Sequence, residues 1–369
     1  MTIRFIEGFE TNAATGSTTD QYYERKFASS AQVPQSVVGR YAGLALQSSS
    51  YSFTTENYTA GDVWILHWHW FLNEAGATGQ AAGVTISDGT GDQLELAIRE
   101  FHAGDNNDDR YMLDLQRGAT VLASAGPFWS EVWMSCQLKV TIDPVNGAYE
   151  LKVAQAGSVG SSPVTVMSDV GPVNTANQAV ADADRFTFSL NNGPRTMKLD
   201  HVVICDDAGA VNNDFLGEVF VAGLVPNLDG DDTDWNTSAG ADHAALVNEI
   251  MPSAAVTGTD DPERITSETI ADYDRWFMQG LDAVKDIPTG TAIYGVSVET
   301  TASMEASGNR DLRPVFKDTT AAVSEGVVFN VTGTAWDTYV EIWETNPATA
   351  ATWSVSTVDA GQFGVKVNA

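Results

Sequence analysis

Two histidines stand two residues apart in VWILHWHWFL, residues 63–72. On an extended chain, residues i and i+2 share a face, so His67 and His69 present two imidazoles side by side, as zinc ligands often are. A zinc site needs a third and fourth ligand, and the remaining histidines, His102, His201 and His243, form no matching pair. The same face carries Val63, Ile65 and Phe71, while the other carries Trp64, Leu66, Trp68, Trp70 and Leu72. A strand apolar on both faces runs mid-sheet with cover on both sides, so the core reading outweighs the metal reading.

A second cluster is acidic. NLDGDDTD, residues 227–234, holds Asp229, Asp231, Asp232 and Asp234 behind Asn227. Oxygen ligands at alternate positions suit calcium, which makes Asp229, Asp231 and Asp234 the candidate ligands. The full calcium-loop pattern fails: no glycine stands at the sixth position from Asn227 or Asp229, and no acid stands at the twelfth. A solvated acidic turn is the simpler account, and DNNDD at 105–109 is read the same way.

Glycoside hydrolysis needs two carboxyls facing across a cleft. The best local match is DQLELAIRE, where Glu95 falls on the opposite strand parity to Asp92 and Glu100. The pattern is absent. So are a Gly-x-Ser-x-Gly elbow, a phosphate loop and a dinucleotide fingerprint. The chain reads as a non-enzyme with no catalytic residue and no organic cofactor. The tryptophans offer another chemistry, since an exposed indole on a sheet face stacks on sugar rings. Core packing is the competing use of the same residues.

Composition narrows the partners. The chain has 369 residues, 19 basic against 49 acidic, and a formal charge of -30. Phosphate binding needs a basic face, so nucleic acid is an unsuitable partner, and an anionic membrane surface is equally unsuitable. No apolar stretch reaches the ~18 residues of a membrane span. MTIRFIEGFET lacks a basic region followed by an apolar one, and it reads as a first strand rather than a signal peptide. Cys136 and Cys205 sit in apolar strand-like runs and read as buried thiols, with a disulfide between them as the alternative.

The elements that must position these residues are strands. Among them are IRFIEGF, DVWILHWHWFL, DQLELAIREF, EVWMSCQLKVTID, AYELKVA and MKLDHVVICD, with period-two alternation and turn-forming DGTGD, DPVNG and NNGP between them. Asp-Pro-Val-Asn-Gly between two such runs predicts a hairpin. The expectation is an all-β chain: a concanavalin-A-like jelly-roll sandwich over 1–211, a connector with the acidic loop over 212–250, and a smaller β-sandwich over 251–369. Within the connector, DFLGEVFVAGLV reads as a strand and GADHAALVNEIMP as one or two helical turns. ITSETIADYDRWFMQGLDAVKDIP has two readings. Ile270, Tyr273, Phe277, Leu281 and Val284 follow helical spacing, while DRWFMQGL fits an aromatic strand.

LDHVVICDDAGAVNNDFLGEVFVAGLVPNLDGDDTDWN resembles a group of tailed-bacteriophage virion proteins. In these a concanavalin-A-like (laminin-G-like) domain is followed by a FLGD-type motif, a proline, a Gly/Asp loop and a tryptophan, leading into a smaller β domain. The matching positions are Phe215, Leu216, Gly217, Pro226, Asp229, Gly230 and Trp235, with Glu218 where the group commonly has aspartate. TWSVSTVDAGQFGVKV resembles the group's closing segment through Trp353, Phe363 and Gly364. The resemblance implies a structural component of a phage particle, assembled in the host cytoplasm: a tail-fibre or tail-associated subunit, or a capsid decoration protein. Its partners would be other virion proteins and further copies of itself, trimers being common in fibres; a host-surface glycan is the partner that the exposed-indole reading adds. On this reading Phe215, Leu216, Gly217, Pro226 and Trp235 form an interdomain joint.

Overall fold

The computed structural model describes residues 2–9, 29–30, 35–38, 44–48, 52–72, 80–101, 110–155, 162–190, 197–238, 240, 242–248, 264–281, 287, 290–305, 309–319, 322–334 and 336–368. The stretch DNNDD at 105–109 lies outside them. The chain divides into two compact units, 1–221 and 222–369.

The first unit is a sandwich of two antiparallel sheets. One runs, neighbour to neighbour, through Val164–Val173, Gly147–Gln155, Trp133–Thr141, Val63–Leu72, Met197–Asp206, Leu44–Ser48 and Gln35–Val38, with Ile3–Glu7 also paired to Met197–Asp206. The other runs through Thr120–Trp129, Arg110–Arg117, Asp92–Glu100, Gln80–Ser87, Arg185–Ser189, Ser52–Thr54 and Ser29–Ser30. Strand Val63–Leu72 is central in its sheet, paired on both sides. Its even residues face the core, where Trp64 meets Phe186 edge-on at 4.8 Å, and Trp68 meets Phe188 at 6.3 Å. Burying each such ring contributes about 1.5–3 kcal/mol, so this strand carries much of the unit's stability. The predicted hairpin forms between 133–141 and 147–155. The Asp143 carboxylate accepts from Val145 N and Asn146 N at 2.6 Å each, an Asx turn that sets the reversal. Cys136 and Cys205 are free, buried thiols.

The second unit is built on a six-stranded sheet. Its order is Pro226–Thr233, Tyr273–Met278, Gln362–Asn368, Arg310–Lys317 and Val323–Glu325, with Phe329–Val331 also paired to Arg310–Lys317. A two-stranded ladder, Val296–Ala302 with Asp337–Trp343, lies over it. Between them Phe316, Phe363, Trp343, Trp353, Val355 and Val358 form the core. The closing segment TWSVSTVDAGQFGVKV reads as packing instructions. Trp353 Nε1 donates to Trp343 O at 2.8 Å. Ser354 then caps the short helix Val355–Ala360 in a reciprocal box with Thr357, and the final strand follows.

Two sequence readings change. The acidic run is not a solvated turn: residues 226–233 are a strand paired to 273–278. The apolar run from Phe215 to Val225 is not a strand but irregular backbone. Of the two readings of DRWFMQGL, the strand holds, because Trp276 alternates onto the core face of the sheet. The edge strand Thr120–Trp129 has no period-two signature. It contains Gly126-Pro127 and shifts register between Ala125 and Phe128, which edge strands tolerate. The expected helical turn is present as His243–Val247.

Candidate functional site

The acidic run holds four carboxylates, Asp229, Asp231, Asp232 and Asp234. Its carboxylates diverge. Asp229 takes the backbone N–H groups of His243 and Ala244, at 3.3 and 2.6 Å, at the start of helix 243–247. Asp231 pairs with Lys317, and Asp232 with Arg275. Asp234 accepts from Tyr273 N at 3.1 Å. Asp229, Asp231 and Asp234 therefore serve donors in three different places, and no group of three metal-ligating side chains occurs among the described residues. Pro226 begins the strand, opposite Met278. Trp235 packs, partly buried, against Trp276 and Leu312, and its Nε1 donates to Asp272 O at 3.4 Å.

Phe215, Leu216 and Gly217 belong to the first unit. The Lys152 ammonium lies 3.8 Å from the Phe215 ring centre, and Lys139 Nζ lies 3.3 Å from Asp214 Oδ1. Phe220 meets His201 edge-on at 5.0 Å, and Val221 N donates to His201 Nδ1 at 3.3 Å. The segment thus lies along the outer face of the eight-stranded sheet. His67 and His69 occupy that face and are fully buried. His67 is cross-strand to Gln137, and neither side chain has a hydrogen-bond partner. Burial alone drives the His67 pKa down to about 3, so the ring is neutral at pH 7.

In the second unit, His243 Nδ1 lies 2.6 Å from Asp274 Oδ2, and both groups are buried. Burial pushes the Asp274 carboxyl up to about 6 in spite of the histidine beside it. The pair joins helix 243–247 to strand 273–278.

The outer face of the seven-stranded sheet carries an exposed aromatic ring at its edge. Trp129 and Arg110 are direct cross-strand partners, and Phe101 N donates to Arg110 O at 3.1 Å. The three side chains stand in a row across the strands. The Arg110 guanidinium lies 5.0 Å from the Phe101 ring centre and 5.3 Å from that of Trp129, a stacked cation–π arrangement. Trp129 is 57% exposed. Beside the row, Arg99 bonds Asp114 at 2.7 Å, and Ser124 Oγ donates to the same carboxylate at 2.6 Å. Burial works to raise the Asp114 pKa, but the Arg99 and Ser124 hydrogen bonds outweigh it and the carboxyl stays below its ordinary range. The surface therefore offers a flat aromatic ring and the half-exposed Arg99 guanidinium, which the buried Asp114 carboxylate holds from beneath. That combination suits a ligand with one apolar face and a hydroxyl-bearing edge. Sequence reading raised exposed indoles in general but did not single out Trp129. The available signal was GPFWS, an aromatic pair behind Gly-Pro at an edge.

No protein-family model matches the chain, and no curated protein matches it. Among solved structures, the chain is similar to the VIP36 exoplasmic/lumenal domain in its Ca2+/Man3GlcNAc-bound form. The identity is 8%, over 51% of this chain and 90% of that one, with a TM-score of 0.33. It is also similar to the T. cruzi calreticulin globular domain, at 12% identity over 56% and 88% of the two chains, with a TM-score of 0.33. A third similarity is to a GH131 beta-glucanase catalytic domain from Podospora anserina, at 12% identity over 49% and 87%, with a TM-score of 0.27. Values of this size carry no argument about what the chain binds. The fold class rests on the chain's own strand order: an all-β protein with a concanavalin-A-like jelly-roll sandwich followed by a smaller β-sandwich.

Proposed function

We propose that this chain is a non-catalytic glycan-binding protein that uses the Trp129 face of its first unit. The observation that carries the reading is the exposed Trp129 indole beside the Arg110 guanidinium, which also lies over Phe101. The unit's other large aromatics include Trp64, Trp68 and Trp70, all buried. A pyranose presents axial C–H groups on one face and hydroxyls around its edge. Stacked on Trp129, it would turn its hydroxyl edge towards Arg99, which the buried Asp114 carboxylate orients. Arg99 is half exposed, at 49% of its side chain, so it can turn towards a ligand. The test is a titration of the full-length protein with neutral oligosaccharides, followed by tryptophan fluorescence and calorimetry. Trp129→Ala should reduce affinity at least tenfold with the thermal transition unchanged, and equal binding by the variant would refute the assignment. Calcium, considered above for Asp229, Asp231 and Asp234, enters as a variable: the titration is run with calcium and with chelator.

A second reading is a structural component of a bacteriophage particle, either a tail-fibre or appendage subunit or a capsid decoration protein. It is supported by the resemblance carried by Phe215 to Trp235 and Trp353 to Gly364, and it is compatible with glycan binding at a particle surface. Light scattering on the purified chain separates the two forms. A stable trimer favours a fibre, and a monomer favours decoration. Absence of the protein from purified particles would reject both.

A further inference from the structure

The second unit carries a feature that the glycan reading does not use. Residues 222–369 contain seven basic residues: Arg264, Arg275, Lys285, Arg310, Arg313, Lys317 and Lys366. Four of them meet on one face of the six-stranded sheet. Tyr273 pairs with Lys366, which pairs with Arg313, while Arg275 pairs with Gly364 and Gln362 pairs with Lys317. Residues of the opposite parity, among them Trp276, Phe363 and Phe316, face the core. Period two thus places Arg275, Arg313, Lys317 and Lys366 together on the outer side.

These cations are recessed. Arg275 is only 2% exposed, and its Nε and Nη1 have no hydrogen-bond partner, nor does Arg313 Nε. Gly364 is what lets the arginine lie flat, because a Cβ there would stand 2.7 Å from Arg275 Cα and 2.8 Å from its Cγ. Leaving buried guanidinium N–H groups without acceptors is costly, so the face is under-supplied with acceptors.

Part of the supply comes from the acidic run. Asp229 is opposite Trp276 and Thr233 is opposite Asp274, so residues 230–232 bulge out of register across from Arg275. Asp232 reaches Arg275, and Asp231 reaches Lys317. Glu325 takes Lys366 at 2.6 Å. The carboxylates come from the solvent side: the Asp231 side chain is 54% exposed against 18% for Lys317. Glu325 also lies 3.7 Å from Arg313 Nη1, which donates to Gly326 O at 3.3 Å, so what the face leaves over is three guanidinium nitrogens without acceptors, Arg275 Nε and Nη1 and Arg313 Nε.

We propose that this face is a binding site for an oxyanion group, sulfate or carboxylate, and that the 230–232 bulge occupies it from within as a tethered competitor. A tethered carboxylate acts at high effective concentration, so the free site is weak until the bulge is displaced or neutralised. A sulfate brings more acceptor oxygens than one aspartate and satisfies the orphaned guanidinium donors as well. The proposal rests on none of the first-unit observations.

The test uses the full chain and inorganic sulfate at constant ionic strength, with chloride as the balancing anion. Binding is read by calorimetry and by amide exchange in strand 273–278. Wild type should bind weakly and saturably. Asp231→Asn with Asp232→Asn should tighten sulfate binding at least tenfold. Arg313→Gln in that background should lose most of the gain, and Arg275→Gln the rest. Arg313 is the safer probe because it is partly exposed, so a folding defect at Arg275 leaves the test intact. A double variant that binds no better than wild type, or a gain unaffected by Arg313→Gln, overturns the site. Galactose 6-sulfate and glucuronate, run against neutral galactose, distinguish the source. Tighter binding of the acidic sugars than of inorganic sulfate supports a sugar-borne oxyanion, and equal binding supports a free anion. Binding of neutral galactose at the same face overturns the oxyanion assignment.

Discussion

His67 and His243 are both buried imidazoles, one in each unit, and their surroundings differ. His67 lies mid-sheet with Gln137 and Val203 as its cross-strand neighbours and no acid beside it. His243 opens a short helix, with the Asp274 carboxylate 2.6 Å from its Nδ1. In the first case desolvation acts alone and the ring is held neutral. In the second, the acid carries the visible strain, its pKa raised by burial against the attraction of the histidine. The lesson is that burial by itself does not set the electrostatic outcome. The residue type that the neighbouring strand or helix brings up decides which group gives way, and so which direction of pH change the unit resists.

The first way to break this comparison is acid. His67 titrates near 6.5 when unfolded and at about 3 when folded. Between those values the unfolded state holds more protons, so stability falls as the pH drops through that window, by at most about 5 kcal/mol. Amide exchange in strand 63–72 should accelerate steeply between pH 6 and 4, and His67→Leu should remove most of that slope. An unchanged slope in the variant would show that other groups govern the acid response.

The second unit should move the opposite way. Asp274 has its carboxyl near 6 in the fold against an ordinary 3.8. Between these values the folded state holds the extra proton, so this group's contribution falls as the pH rises from about 4 to 6, on the order of 3 kcal/mol. Asp274→Asn keeps a partner for His243 and should flatten the dependence of exchange in strand 273–278. A variant with the same dependence as wild type would remove Asp274 from the account.

A smaller effect sharpens the contrast at neutral pH. His67→Leu combined with Gln137→Leu removes four buried polar atoms without partners, and it should stabilise the first unit by about 1–2 kcal/mol. Loss of stability in chemical denaturation would mean that those atoms are satisfied in solution. The smallest effect on stability belongs to Trp129→Ala, within about 0.5 kcal/mol for an exposed side chain. The same change should reduce glycan affinity at least tenfold, and that difference separates a binding residue from a packing one.

Much of the fold was legible. Alternation and turn residues placed most strands of the first unit, and the Asp143 turn was readable from five residues. The bulk of the candidate site was not. The edge strand 120–129 carries Gly-Pro and no alternation, so Trp129 had no visible element beneath it. The acidic run looked like a loop because aspartate and glycine are poor strand formers. It becomes a strand through pairing with 273–278, and its charges are taken by Lys317 and Arg275, distant in sequence.

What the sequence by itself determined is local and periodic: an all-β chain, an apolar central strand at 63–72, two cysteines in apolar strands, and a net charge unsuited to nucleic acid. Period-two patterning and turn chemistry act within a few residues, so one chain segment is enough to read them. Only the tertiary structure decided which residues of different strands share a face. The row of Phe101, Arg110 and Trp129, the basic face around Arg275, and the separate partners of Asp229, Asp231 and Asp234 depend on strand order and register. A shift of one residue in register would send each of those side chains to the other side of its sheet.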